Sequence, residues 1–397
     1  MPIPELAPPA EPTWLGAGSA QEWPSSDSKL PFVRYRTLAQ SYDRAIEAGW
    51  TDQQYVDEVT KLDDAVAEVD GTGFRLTSTG SEASLAEAVG HDADLLVKDE
   101  TGNVAGAHKA RHLFGLALHL QLDGLDQSAP LAISSCGNAA MAAATIAAAA
   151  GRPLKVFVPT WADGSVLERL YELGAQVQPC ERRTDEAGDP CFLRFQESVA
   201  AGATSFGCQG PVDPRTLDGG RTLGWEIAEQ AANLDRLLIQ VGGGALGSSI
   251  AQGLWTAAHL GLTDAMPRID LVQTAGCAPF AAAIGSLGRE HPDPAAALAA
   301  AASDPDRFMK PWPLEPTSLA DGILDDVTYD WVMLAWALMA TDGSAIVVDE
   351  HLVSEAHRLS SMTGIEASAT GTAGLAGILQ TPGPAARTLV AFTGVAR

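Results

Sequence analysis

From Asp94 onward the chain alternates short apolar runs with helix-length stretches, and that rhythm limits the folds open to it. Leu95-Leu96-Val97 reads as a strand, a Gly-containing turn follows, and a helix is expected over about 107–120. Leu131-Ala132-Ile133 is the next apolar strand, then a Ser/Gly turn and an Ala-rich helix to Ala150. Val156-Phe157-Val158, a helix over 164–173 closed by Gly174, and Gln176-Val177-Gln178 continue the series. The pattern resumes with Leu237-Leu238-Ile239-Gln240-Val241, a glycine loop, a helix to about His259 and a strand at Asp270-Leu271-Val272-Gln273. Thr388-Leu389-Val390-Ala391-Phe392 is the last strand. Strands separated by helices pair in parallel, with the helices covering both faces of the sheet. The predicted fold class is α/β with doubly wound parallel sheets.

At 397 residues the chain exceeds what one hydrophobic core fills and suits two domains. Residues 1–30, rich in Pro, Ser and acidic side chains, read as a loose tail, with helical patterns following at 37–48 and 52–68. The Ala-rich stretch 284–304, interrupted by His291, Pro292 and Pro294, reads as a surface excursion. Acidic residues number 50 against 25 basic ones, a formal charge of -25. Phosphate-backbone binding needs a basic face, so no nucleic-acid partner is expected. The richest apolar run, Ala139 to Ala150, is 12 residues and too short to span a bilayer, so no membrane partner is expected either. Five cysteines, Cys136, Cys180, Cys191, Cys208 and Cys277, form no C-x-x-C pair. With no charged start leading into an apolar core and cleavage site, a reducing cytoplasm is the expected setting.

Three segments carry candidate chemistry. Of six lysines, only Lys109 sits at a turn-to-helix junction in a low-charge, Gly-containing stretch, Gly106-Ala107-His108-Lys109. A partly desolvated amine there is freed for Schiff-base chemistry, although a lone lysine at a helix start is more often a surface residue. Val241-Gly242-Gly243-Gly244-Ala245-Leu246-Gly247 lies between a strand and a helix, where backbone N–H groups and the helix N-terminus attract an anion. The bland alternative is a tight turn. A dinucleotide pattern can also be placed on Gly242, Gly244 and Gly247, which keeps an NAD-binding oxidoreductase open. Ser134-Ser135-Cys136-Gly137-Asn138 again links strand to helix and offers hydroxyls and N–H groups to a carboxylate, or simply caps the helix. His108 and His112 are four residues apart, but no third ligand is in view, and no metal is expected.

Taken together, these segments resemble the pyridoxal 5'-phosphate (PLP) enzymes of the tryptophan synthase β family (PLP fold type II), closest to threonine synthase-like proteins. Residues 98–111 look like that family's lysine motif and Ser135-Cys136-Gly137-Asn138 like its substrate-carboxylate loop. Asp218-Gly219-Gly220-Arg221-Thr222-Leu223-Gly224-Trp225-Glu226 is similar to a stretch typical of threonine synthases, and Phe392-Thr393-Gly394 looks like the Thr-Gly facing the pyridine nitrogen. The resemblance runs from about Lys98 to Arg397. It implies PLP as cofactor, bound as a Schiff base to Lys109, which also acts as base at Cα. It implies Asn138 on the ring 3'-oxygen, Gly242, Gly243, Gly244 and Ala245 around the phosphate, Thr393 at the pyridine nitrogen, His108 beside the cofactor, and Ser134, Ser135, Cys136 and Gly137 on the substrate. It further implies a large domain of 31–102 plus 206–397, a small mobile domain of 103–205, PLP between them, and a homodimer.

The expected activity is elimination or replacement at Cβ of a small amino acid. The alternatives are a true threonine synthase acting on O-phosphohomoserine and a non-catalytic homologue. His108 precedes the lysine where threonine synthases commonly have Phe, as in tryptophan synthase β. Ser165-Val166-Leu167 stands where a phosphate-binding lysine is usual, and Gly210-Pro211 replaces hydrogen-bonding side chains. Arg215 could compensate for them.

Overall fold

Ten strands, counted among the described residues, form two sheets whose alternate residues enter different cores. The computed structural model describes residues 6–9, 13–124, 126, 128–184, 189–382 and 386–397. The strands are β1 (Thr79–Ser81), β2 (Leu95–Asp99), β3 (Leu131–Ser134), β4 (Leu154–Pro159), β5 (Gln176–Cys180), β6 (Thr204–Ser205), β7 (Arg236–Gln240), β8 (Arg268–Thr274), β9 (Ala345–Val348) and β10 (Thr388–Phe392). The larger sheet has the order β1-β2-β10-β7-β8-β9 and the smaller β5-β4-β3-β6. Every pairing is parallel except β1 with β2.

The period of two along each strand sends its apolar residues to both faces. Leu237 and Ile239 of β7 join Leu389 and the helices Ala245–His259 and Trp331–Ala340 on one face. Leu238, Val390 and Phe392 join the helices Glu350–Ser360 and Ala369–Gln380 on the other. The smaller sheet repeats the arrangement. Ile133, Val156 and Val158 pack under helices Lys109–Leu122 and Asn138–Ala149, while Ala132 and Phe157 pack against Cys191 and Phe195 of helix Pro190–Ala200. Each fully buried Leu, Ile or Phe contributes about 1.5–3 kcal/mol relative to exposure. The predicted doubly wound α/β architecture is therefore the observed one.

Three expectations need correction. Residues 13–30 are not a loose tail: Trp14 lies edge-on to Trp255 at 4.8 Å and Trp336 at 5.3 Å, and the Leu15 N–H donates to Gln252 at 2.9 Å. Aromatic burial outweighs the Pro/Ser composition; residues 1–5 and 10–12 of that expected tail lie outside the described residues. The stretch 284–304 is no surface excursion. It forms the helices Pro279–Glu290 and Pro294–Ser303, whose Leu287, Ala297, Leu298 and Ala301 enter the largest core. Third, Phe32 and helix Asp52–Asp70, expected with the larger sheet, place Phe32, Tyr55, Val59, Leu62 and Val66 in the core of the smaller one.

Helix Lys109–Leu122 is seated against helix Arg215–Gln230 by facing glycines. A methyl on Gly115 would lie 2.5 Å from the Gly219 Cα, and one on Gly219 would overlap the Arg111 carbonyl oxygen. Gly219→Ala gains up to about 1 kcal/mol of helix propensity but forces backbone apart, which costs about 1–3 kcal/mol or more. A lower urea midpoint at unchanged m-value is the expected outcome; an unchanged or higher midpoint would show that the helices do not need this approach.

Candidate active site

The carboxyl ends of the parallel strands carry the candidate residues. Thr393 follows β10, the glycine loop follows β7, and Ser135–Asn138 follows β3 of the other sheet. Loops at such ends are where α/β proteins hold ligands. The segment before the lysine is held by the one after β10. The His108 N–H and its Nδ1 both reach the Thr393 carbonyl, at 3.1 and 3.0 Å, Ala107 bridges Gly394, and the Val395 N–H donates to Gly106 at 3.0 Å. Ala105 (φ 53) and Gly106 (φ 64) turn the chain sharply into the helix. A methyl on Gly394 would lie 2.9 Å from Asn138 Nδ2 and 3.1 Å from Ala107 Cβ, so Asn138, at the start of its helix, borders the same place. Asn138 Oδ1 accepts from Arg397 Nε at 2.5 Å.

Lys109 opens its helix half-buried, and its Nζ has no hydrogen-bond or ion-pair partner among the described residues. The other lysines differ. Lys98 is fully buried and committed to Glu226, Gln230 and the Thr77 carbonyl, each at 2.8 Å. Lys61 pairs with Glu58, and Lys310 with the Asp306 carbonyl. Lys29 is exposed and Lys155 lies in β4 of the smaller sheet.

Across from the amine, the glycine loop meets an internal anion. Burial raises the pKa of the Asp325 carboxyl, while the Lys109 charge and the neighbouring Gly243 N–H pull it down. A methyl on Gly242 would lie 2.5 Å from Asp325 Oδ2, and one on Gly243 would lie 3.0 Å from the Tyr329 ring. Gly244 has φ +99, a left-handed conformation that other residues rarely adopt, and Ala245 begins the helix, packed on Leu15 and Leu217.

Burial also raises the Cys136 thiol, helped by the carboxylates of Asp321 and Asp189, and the Tyr329 hydroxyl, helped by Asp325, Asp326 and Asp189. Asp189 acts on both groups, so its charge is felt at Cys136 and at Tyr329 alike. Ser135 Oγ accepts from the Gly137 N–H at 3.4 Å, and Ser134 ends β3 beside Phe157. Of the histidine pair, His108 Nδ1 serves Thr393 and His112 Nδ1 serves the Thr216 carbonyl at 3.0 Å. Asp325, Tyr329, Asp330 and Gln240 were not singled out from the sequence. Their only signal is polarity inside apolar surroundings, as with Gln240 at the end of Leu237-Leu238-Ile239.

The two-sheet α/β fold carries an unpaired lysine amine at a helix start and a glycine loop after a central strand. Residues 80–394 match the family described as "Pyridoxal-phosphate dependent enzyme", and the chain belongs to that family. Its cofactor is PLP. It is similar to a threonine synthase of Methanosarcina acetivorans, 31% identical over 207 residues, covering 51% of this chain and 48% of that one. It is also similar to an L-threonine ammonia-lyase of Thermotoga maritima, 28% identical over 176 residues, 44% of this chain and 41% of that one. The matched stretch thus spans about half the length of these relatives or less. The processed threonine deaminase isoform 2 of Solanum lycopersicum shares the fold, with a TM-score of 0.64 at 18% identity over 86% of this chain and 85% of that one. Among the described residues no helix is long and apolar enough to cross a membrane, and the five cysteines are free.

Burial, then the Lys109 charge, push the His108 imidazolium down to about pKa 3, from an ordinary value of 6.5. His112 shifts in the same direction. Between pH 6.5 and 3 the unfolded chain binds protons that the folded chain refuses, so stability falls as pH falls through that window. In the cofactor-free protein, His108→Asn should flatten the dependence of unfolding free energy on pH just below 6.5, by up to about 1.4 kcal/mol per pH unit. An unchanged slope in urea titrations would show that His108 is not held neutral.

Proposed function

We propose that this chain is a PLP-dependent lyase or synthase acting at Cβ of a small amino acid, with Lys109 as its Schiff-base lysine and Cα base. The observation that carries the reading is the partnerless Lys109 amine set among His108, Asp325 and the glycine loop. The residues fit the cofactor. Gly242, Gly243, Gly244 and Ala245 hold its phosphate in the reading, on N–H groups at a helix start beside the Asp325 carboxyl. A dianion arriving there needs Asp325 to swing aside or take a proton, and burial favours its neutral form. Asn138 contacts the ring 3'-oxygen and Thr393 the pyridine nitrogen.

When bound, PLP withdraws electrons from the amino-acid Cα and so acidifies its proton. Lys109 takes that proton and can pass it to the group that leaves Cβ, so that a hydroxyl departs as water. His108 stays neutral: the Thr393 carbonyl can only accept, so Nδ1 carries the hydrogen and Nε2 keeps a lone pair. Ser134, Ser135, Cys136 and Gly137 bind the substrate carboxylate through loop N–H and hydroxyl groups.

The surroundings favour a leaving group directly on Cβ over O-phosphohomoserine. Arg215, the cation that could have met a substrate phosphate, is committed to Asp213 at 2.6 and 2.8 Å and to Asp123. Val166 is buried and the Gly210 N–H donates to Asp330 at 3.2 Å. Asp189, Asp321, Asp325 and Asp326 add negative potential around Cys136 and Tyr329. Burying an unpaired dianion among carboxylates is prohibitive. The family resemblance extends the reading to a homodimer, and five free thiols to a reducing cytoplasm.

Gly243→Asp sets a fixed carboxylate on the loop and should weaken PLP affinity at least about tenfold, a loss of about 1.4 kcal/mol. Equal affinity in a folded variant would remove the loop from the phosphate site. Holoenzyme mixed with serine, threonine or their activated esters should release a keto acid and ammonia, or a replacement product when a nucleophile is present. Efficient conversion of O-phosphohomoserine to threonine, with the Cβ-activated amino acids inert, would instead make this a threonine synthase.

A further inference from the structure

Gln240 is a polar side chain that follows three apolar ones, Leu237, Leu238 and Ile239, on a fully buried strand. It ends β7 between Ile239 and Val241, and it is 4% exposed. Its Nε2 lies 2.8 Å from the Gly371 carbonyl and 2.7 Å from Thr393 Oγ1, with the Ala391 carbonyl further off at 3.4 Å. Its Oε1 is buried with no partner among the described residues; a methyl on Gly374 would lie 2.9 Å from it.

The orientation of the amide follows from chemistry. The Gly371 oxygen can only accept, so the nitrogen must face it; the reverse orientation would press Oε1 against two carbonyl oxygens. Of the two amide hydrogens, one goes to Gly371 and the other to Thr393 Oγ1. The hydroxyl of Thr393 therefore accepts from Gln240, and its own hydrogen must point elsewhere. Thr393 is 3% exposed, and its Oγ1 donates to no acceptor among the described residues. Its main-chain carbonyl holds His108, next to Lys109. A hydrophobic side chain at 240 would fill this space without leaving a buried carbonyl unpaired, so the amide is not there for packing.

We infer that Gln240 is a positioning residue that makes Thr393 an obligate hydrogen-bond donor to the pyridine nitrogen of PLP, keeping that nitrogen unprotonated. This rests on the reading of Thr393 given above. Without Gln240 no donor fixes a lone pair of the hydroxyl, which can then rotate and present that lone pair to the ring. The donor would then be lost while the fold remains.

The test is the 15N resonance of holoenzyme loaded with ring-15N PLP, in the wild type, Gln240→Met, Thr393→Val and the double variant, with thermal unfolding as a check on folding. The wild type should show a neutral, hydrogen-bonded pyridine nitrogen. Gln240→Met, similar in volume but without a donor, should move the resonance downfield toward that of a pyridine with no donor and weaken PLP binding about tenfold. Thr393→Val should give the same displacement, and the double variant no more. Should Gln240→Met fail to fold, Gln240→Glu replaces it: an ionised carboxylate there accepts from Thr393 and should produce the same downfield displacement. A protonated ring nitrogen in the wild type, an unmoved resonance in the Gln240 variants, or an added displacement in the double variant each overturns the inference. A wild type that binds no PLP overturns instead the function proposed above.

Discussion

Four buried charges hold the lysine helix in place. Arg111, two residues after Lys109, grips both oxygens of Glu100 at 2.8 and 2.9 Å and one oxygen of Glu226 at 2.6 Å; the other Glu226 oxygen takes Lys98 at 2.8 Å. All four side chains are at most 1% exposed, and two cations balance two anions. Removing one partner leaves a buried charge uncompensated, at a cost of about 3–5 kcal/mol. Each member comes from a different place: the strand β2, the turn after it, the lysine helix, and helix Arg215–Gln230. The fork geometry of the guanidinium makes the arrangement directional, so it sets orientation as well as distance.

A second buried cluster ties the N-terminal segment to the same helices. Asp218 accepts from Arg221 at 2.7 Å, His119 at 3.0 Å, and the N–H groups of Gln40 and Ser41. Arg221 in turn donates to the carbonyls of Gly16 and Leu38. The stretch Asp218–Glu226 therefore acts as a structural spine, joining lysine helix, N-terminal segment and larger sheet. Rigid elements then carry the residues proposed for the chemistry: Lys109 on a clamped helix, Thr393 after a fully buried strand, and the glycine loop between a buried strand and a buried helix.

Where sequence reasoning succeeded, the information was local. Leu237-Leu238-Ile239 is apolar on both faces because helices cover both, and a parallel sheet follows from that alone. The proposal of Lys109 rests on equally local information, its place at a turn-to-helix junction in a low-charge, Gly-containing stretch. Where it failed, the meaning depended on distant contacts. Trp14 reads as part of a polar tail until Trp255 and Trp336 come to it. Ala297 and Leu298 read as surface until the Trp331–Ala340 helix covers them. Arg215 was undecidable because Asp123, which claims it, is 92 residues away. Gln240 shows only its polarity after three apolar residues, because its partner Thr393 is brought to it by the order of the strands.

The account stands on one lysine amine reaching one cofactor. Borohydride reduction of the holoenzyme, followed by peptide mapping with mass spectrometry, reads that directly. Reduced cofactor should be fixed on Lys109, and Lys109→Ala should take up none. Cofactor fixed on Lys98, Lys155 or any other lysine, or none fixed on the wild type at all, would contradict it.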